Sequence, residues 1–273
     1  MPDNHSAPGA DSPVTRGLPD VQGRADVRRI AIDRVGVKDV VYPITLKTPD
    51  GGCQSTVAKI NMYVSLPAEQ KGTHMSRFLE VLNEYADGIR PDRLREMCGQ
   101  LRTRLQAEVA HLEMEFTYFI RKFAPVTREP GLMDYQVRFT CESDGTDDFV
   151  MSVTAPATSL CPCSREISSY GAHNQRCMIT ADIRSNSIVW IEELAAILEA
   201  SASCGVYSVL KRPDEKHVTE VAYDNPKFVE DIVRDLALAL EDDDRITWYH
   251  VRSENFESIH SHNAFAEITR KKG

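Results

Sequence analysis

Two hydrophobic periodicities take turns along this chain, and their order limits the possible folds more than any single motif does. Val35 to Thr48 is rich in β-branched residues and stops at Pro49-Asp-Gly-Gly52, after which Ile60, Met62, Val64 and Leu66 alternate on one face. Period-two alternation marks half-buried strands, so the two runs form a hairpin. Met75, Phe78, Leu79, Leu82 and Tyr85 then recur at helical spacing, and beyond the short link Arg90-Pro-Asp92 so do Leu94, Met97, Leu101, Leu105 and Val109. Alternation returns at Leu112, Met114, Phe116 and Tyr118 and again at Tyr135, Val137, Phe139 and Cys141. Asp144-Gly145 turns the chain into Phe149, Met151 and Val153.

The second half repeats the order. Strands are predicted near 148–157 and 175–185, helices from Ile191 to Ala202 and from Asn225 to Glu241, and closing strands from Ile246 to Glu254 and Asn263 to Thr269. Asn225-Pro226 reads as a helix start, an Asn cap followed by Pro at the first helical position, where a missing N–H costs nothing. Phe228, Val229, Ile232, Val233 and Leu236 supply the buried stripe of that helix. Two successive strand-strand-helix-helix-strand-strand units define a duplicated α+β architecture, although no repeat is visible residue by residue. The division expected is a disordered tail over 1–29, a first unit over 30–146 and a second over 147–273.

Composition narrows the function classes. The chain has 273 residues, of which 42% are hydrophobic and 27% charged, enough to bury a sizeable core. No apolar run approaches the length needed to cross a bilayer, so a soluble, cytoplasmic protein is expected, with no membrane partner. Met1 to about Gly23 is rich in Pro, Gly, Asp and Ser and lacks both a basic start and an apolar stretch, which fits a disordered tail better than a signal peptide. Seven scattered cysteines suggest reduced thiols rather than a disulfide framework. A net charge of -9 argues against duplex nucleic acid, which needs a dense basic face, but leaves room for a single nucleotide held by a few local donors.

Thr158 to Arg176 packs two cysteines, a histidine, a glycine and two arginines into nineteen residues. A thiolate at Cys161 or Cys163 with the imidazole of His173 makes two ligands that zinc or iron(II) accepts, and two more must come from elsewhere. Candidates lie in Lys211 to His217 and Glu254 to His262. The first also reads as a solvated charged loop. In the second, His260 and His262 would share one face of a strand, a common metal geometry, against the alternative of a polar strand end. His74 and His111 read as satisfied structural histidines, and His5 falls in the tail.

Ser159-Leu-Cys-Pro-Cys-Ser164 and Ser169-Tyr-Gly-Ala-His-Asn-Gln-Arg176, followed by Leu210-Lys-Arg-Pro-Asp-Glu-Lys216, Tyr223-Asp-Asn-Pro-Lys-Phe-Val-Glu-Asp231 and Glu254-Asn-Phe-Glu-Ser-Ile-His260, closely resemble the type IB GTP cyclohydrolases. Gly72-Thr-His-Met-Ser-Arg-Phe78 resembles another motif of that family, and the likeness spans about residues 30 to 270. It implies a tunnelling fold, with two ββααββ units per chain, antiparallel sheets and helices on one face, and a homotetramer whose active sites lie between subunits. Carried over by position, the metal ligands fall on Cys161, His173, Glu215 and His260, and the carboxylate that anchors guanine on Glu230. The implied cofactor is one divalent metal per site, Zn, Mn or Fe(II), which lowers the pKa of coordinated water from about 15.7 toward 7. The implied reaction takes GTP and water to 7,8-dihydroneopterin triphosphate and formate, with Cys161 as ligand, catalyst or both. Arg165, Arg176, Lys211 and Arg212 are triphosphate candidates by position and charge. Two positions depart from the family pattern, His217 where an aromatic is common and Cys177 where a small polar residue is usual. The rival readings are another tunnelling-fold enzyme, giving a cyclic phosphate or using a nucleophilic Cys on a nitrile, and a protein that a metal merely staples.

Overall fold

The structure, a computed structural model, describes residues 19–273. Its first half runs β1 (Ile32–Lys47), β2 (Cys53–Leu66), α1 (Met75–Tyr85), α2 (Pro91–Arg104), β3 (Ala110–Phe123) and β4 (Pro130–Ser143). The second runs β5 (Asp147–Leu160), α3 (Pro162–Ile167), β6 (Asn174–Ser185), α4 (Ile191–Ala200), β7 (Cys204–Gly205), α5 (Arg212–Asp224), α6 (Val229–Glu241), β8 (Ile246–Asn255) and β9 (Ala264–Lys271). Strands β1 to β9 pair antiparallel throughout and join one sheet in the order β1-β2-β3-β4-β5-β6-β8-β9, with the short β7 attached to β5.

Alternation decides which face of the sheet is covered. Ile60, Met62, Met114, Phe116, Val137, Phe139, Val153 and Ile179 all point to the side on which the helices lie, and each is buried. α1 packs there through Phe78, Val81 and Leu82, α2 through Leu94, Met97 and Leu101, α4 through Leu194 and Leu198, and α6 through Ile232, Leu236 and Leu240. These side chains form a single core running under both halves. Intervening residues turn to the opposite face and are mostly polar: Arg252 donates to Asp182 at 2.8 Å, and Thr154 and Thr180 share a hydrogen bond of 2.9 Å.

Several local expectations change. α2 ends at Arg104, and Val109 lies outside it, its carbonyl accepting from Ser65 N at 2.9 Å. The charged stretch after Lys211 is not a loop but the start of α5. Asn225 does not cap α6: its amide donates back to Val221 O at 3.1 Å, ending α5, and its side chain donates to the carbonyls of Ala202 and Ser203 at 3.0 and 3.1 Å. Pro226 explains the change, because proline disfavours the helical region for the residue before it and so stops α5 as readily as it could start α6. α6 begins at Val229 behind Phe228, whose amide is accepted by Asp231 Oδ2 at 3.0 Å, and Phe228 is 44% exposed rather than part of the buried stripe.

The tail expected over 1–29 lies outside the described residues up to position 18. From Gln22 to Asp26 the chain is tied to the segment after β2, with Asp26 N to Glu69 O at 2.9 Å, Lys71 N to Arg24 O at 3.0 Å and Gly72 N to Gln22 O at 3.1 Å. Among the described residues no helix is long and apolar enough to cross a membrane.

Candidate metal and substrate site

Cys161 and His173 are brought together by the pairing of β5 with β6. Leu160 at the end of β5 faces Asn174 at the start of β6, so the residues on either side of that pair close a loop. Cys161 N donates to His173 O at 3.1 Å. Ser164 knits the loop further, its hydroxyl donating to Cys161 O at 3.1 Å and accepting from His173 N at 3.2 Å. Cys161 is also the N-cap of α3, with Pro162 in the first turn, and its sulfur accepts from Ser164 N at 3.4 Å. A cap residue is extended and leaves its side chain at the helix mouth, where the half-buried thiol meets the Ser164 amide. Cys163, inside α3, is exposed.

The ring of His173 is oriented from behind. Nδ1 lies 2.9 Å from Gln175 Oε1, while Gln175 Nε2 donates to Glu257 Oε1 at 3.2 Å, which sets the direction of the carboxamide. An amide oxygen only accepts, so Nδ1 carries the proton and the Nε2 lone pair is free for a ligand. Neither Cys177 nor Cys204 competes for this chemistry: burial pushes the Cys177 thiol up to about 12 and raises that of Cys204 as well.

Glu215, Lys211 and Arg212 belong to the opening of α5, and all three are exposed. Between them, Asp214 is fully buried. Its carboxylate accepts from Lys211 N at 2.9 Å, from Val126 N at 2.8 Å, and from the amide and hydroxyl of Thr127 at 2.9 and 2.6 Å. Burial works against the charge, but the bonds from Thr127, Lys211 and Val126 prevail and hold the carboxyl well below the usual range. Arg165 of α3 stacks over Tyr223 near the end of α5, 4.7 Å from the ring centre.

Glu230 is exposed in the first turn of α6, while its neighbours Val229, Ile232 and Val233 are buried. His260 and His262 are not on a strand: they lie exposed in the bend between β8 and β9, their rings stacked 5.3 Å apart at 21°. Arg176 extends from β6 on the polar sheet face and lines a cleft of about 370 Å³ with Gln136, Thr154 and Tyr207. Ser159 gathers the strand ends around this region, donating to Lys227 O at 3.0 Å and accepting from Asn255 Nδ2 at 3.0 Å.

The structure therefore joins Cys161 to His173, and leaves Glu215, Glu230 and His260 exposed on separate elements. Among the described residues no three His, Cys, Asp or Glu side chains converge closely enough to hold a metal ion. What is present fits a metal in kind: a thiol at a helix cap and an imidazole with its coordinating nitrogen free. Sequence reasoning missed Gln175, Asp214, Ser159 and Asn255. Gln175 could have been found, since it stands two residues from His173 in an alternating strand and must share its side.

One antiparallel sheet with α1, α2, α4 and α6 on one face, in the order ββααββ in the first half and the same order with α3, β7 and α5 added in the second, makes this a tunnelling-fold protein of the α+β class. Uricases share the architecture: that of Bacillus fastidious superposes with a TM-score of 0.53 at 10% identity, over 88% of this chain and 93% of that one. The uricase of Arthrobacter globiformis gives 0.51 at 9% identity over the same shares. Residues 18–266 match the family described as type I GTP cyclohydrolase folE2. The GTP cyclohydrolase FolE2 of Nitrosococcus oceani is 53% identical over 260 residues, 95% of this chain and 97% of the relative. That of Magnetococcus marinus is 55% identical over 252 residues, 92% and 95% of the two chains. The chain belongs to the GTP cyclohydrolase FolE2 family.

Proposed function

We propose that this chain is a metal-dependent GTP cyclohydrolase, converting GTP and water to 7,8-dihydroneopterin 3'-triphosphate and formate as the first step of pterin and tetrahydrofolate synthesis in the cytoplasm. The observation that carries the reading is the Cys161–His173 pair, closed by a backbone hydrogen bond and presenting a free Nε2, in a chain of this family. Cys161, His173, Glu215 and His260 hold one divalent metal, Zn, Mn or Fe(II), and Cys161 also takes part in catalysis. A bound metal supplies Lewis acidity, which makes water acidic near neutral pH.

The protein's own groups do the rest. Gln175 fixes the His173 tautomer, and Ser164 holds the loop that carries both residues. Glu230 offers two acceptor oxygens to guanine N1–H and the 2-amino group, a fit that adenine, with an acceptor at N1, does not provide. Lys211 and Arg176 hold the triphosphate by charge. The chain works as a homotetramer with sites completed between subunits. Ile167, Tyr170 and Ile259, which are 78%, 100% and 64% exposed in the segments that carry Cys161, His173 and His260, support this, since exposed apolar side chains fit a partner surface.

The decisive experiment is to incubate metal-reconstituted protein with GTP and measure formate and the oxidised, fluorescent pterin. One formate per pterin triphosphate is expected. A cyclic phosphate as the main product would move the chain to another tunnelling-fold activity, and tight metal without turnover would make the metal a structural staple.

A further inference from the structure

We propose that Asp214 is a positioning residue, through which the turn between β3 and β4 in the first half sets the placement of Glu215 in the second. The motif that contains Asp214 draws attention to its charged neighbours, yet Asp214 alone among them is fully buried. Three of its four hydrogen bonds come from Val126 and Thr127, more than eighty positions earlier, and the fourth from Lys211 at the mouth of α5. A carboxylate with four donors converging on it fixes both partners, because releasing either leaves a buried charge short of a bond.

A second set of contacts seats the chain leading into α5 on the same hairpin. Lys122 Nζ, at the end of β3, donates to Val206 O at 2.8 Å, pairs with Glu199 at 2.6 Å and lies 4.1 Å from the centre of the Tyr207 ring. Gly131, at the start of β4, runs so close to the segment that a Cβ there would meet Ser208 Oγ at 2.1 Å. Residues 206 to 214 thus lie along the β3–β4 hairpin from Lys122 to Gly131, and Glu215 is the next residue. With its own side chain exposed in the first turn of α5, Glu215 has its position set by this backbone anchor.

The inference rests on the reading of Glu215 as a metal ligand, and the test separates the two. Cobalt(II) is titrated into the apo full-length protein, following the ligand-field spectrum and affinity by chelator competition, alongside kcat and KM for GTP and thermal unfolding. Asp214→Asn replaces one acceptor oxygen with an NH2 among donors, and should weaken cobalt affinity about 10- to 100-fold with an altered spectrum, the size typical for groups that orient ligands. Thr127→Val should cost about three- to tenfold, the worth of one hydrogen bond, and Thr127→Ser should restore affinity and spectrum. Should Asp214→Asn fail to fold, the Val and Ser pair at Thr127 decides alone. Wild-type affinity and spectrum in Thr127→Val, with only a lower Tm, would reduce Asp214 to a structural cap and overturn the proposal. Glu215→Ala is the separate control: unchanged cobalt affinity there would remove Glu215 from the ligand set, whatever Asp214 does.

Discussion

Gln175 Oε1 lies 2.9 Å from His173 Nδ1, and this one contact settles which ring nitrogen can coordinate. Replacing the carboxamide with an alkyl group frees the ring to rotate and to change tautomer. Gln175→Leu should weaken metal binding about 10- to 100-fold, while Gln175→Glu, which keeps an acceptor for Nδ1 but turns the donor to Glu257 into a second carboxylate, should fall between Leu and wild type. Chelator competition on the two variants checks this, and equal affinities would show that the contact does not orient the ligand.

Cys161→Ala and His260→Ala should each lose bound metal and activity, because removing one donor of four weakens a site steeply. Cys163→Ala should change little, its thiol being exposed inside α3 and away from the Cys161–His173 contact. Metal analysis of the three purified proteins is sufficient. Metal retained in Cys161→Ala and lost in Cys163→Ala would reverse the assignment.

Glu230→Gln keeps the shape but sets a donor against a donor of guanine. The cost in kcat/KM should be about 30- to 1000-fold, from an unpaired polar group and lost charge assistance, with metal content unchanged. Activity and metal measured on one preparation distinguish this from a ligand role, in which both would fall together.

Asp182 links the polar sheet face to acid stability. Burial raises its carboxyl pKa, but Ser152, Arg252 and His250 outweigh that and hold it below the ordinary 3.8. A depressed folded pKa contributes stability that is fully present above the unfolded value and lost as pH falls through the folded one. Thermal unfolding should therefore show Tm falling from about pH 5 downward, and Asp182→Asn should flatten that limb while lowering Tm at neutral pH. A variant with the same acid slope as wild type would remove Asp182 from the linkage.

The order of strands and helices was readable because period is a local property. Ile60, Met62 and Val64 alternate whatever they pack against, and Phe78 and Leu82 share a helical face before any sheet exists to receive them. Cys161 and His173 stood out for the same reason, being close in sequence as well as in space. α5 was not legible: of its residues only Asp214 and Ala222 are buried, so it has no apolar stripe to read. Asn225-Pro226 carries two meanings locally, since proline stops a helix before it as well as it starts one after it, and only the carbonyls of Ala202 and Ser203, delivered by the end of α4, turned it into a stop. The placement of His260 and His262 in a bend depended on where β8 and β9 cease to pair. Asp214 depended on the fold most of all. Its charge is written in the chain, but its donors Val126 and Thr127 come from the β3–β4 turn more than eighty positions earlier, and no spacing in the sequence encodes a hydrogen bond that the tertiary structure alone brings within reach.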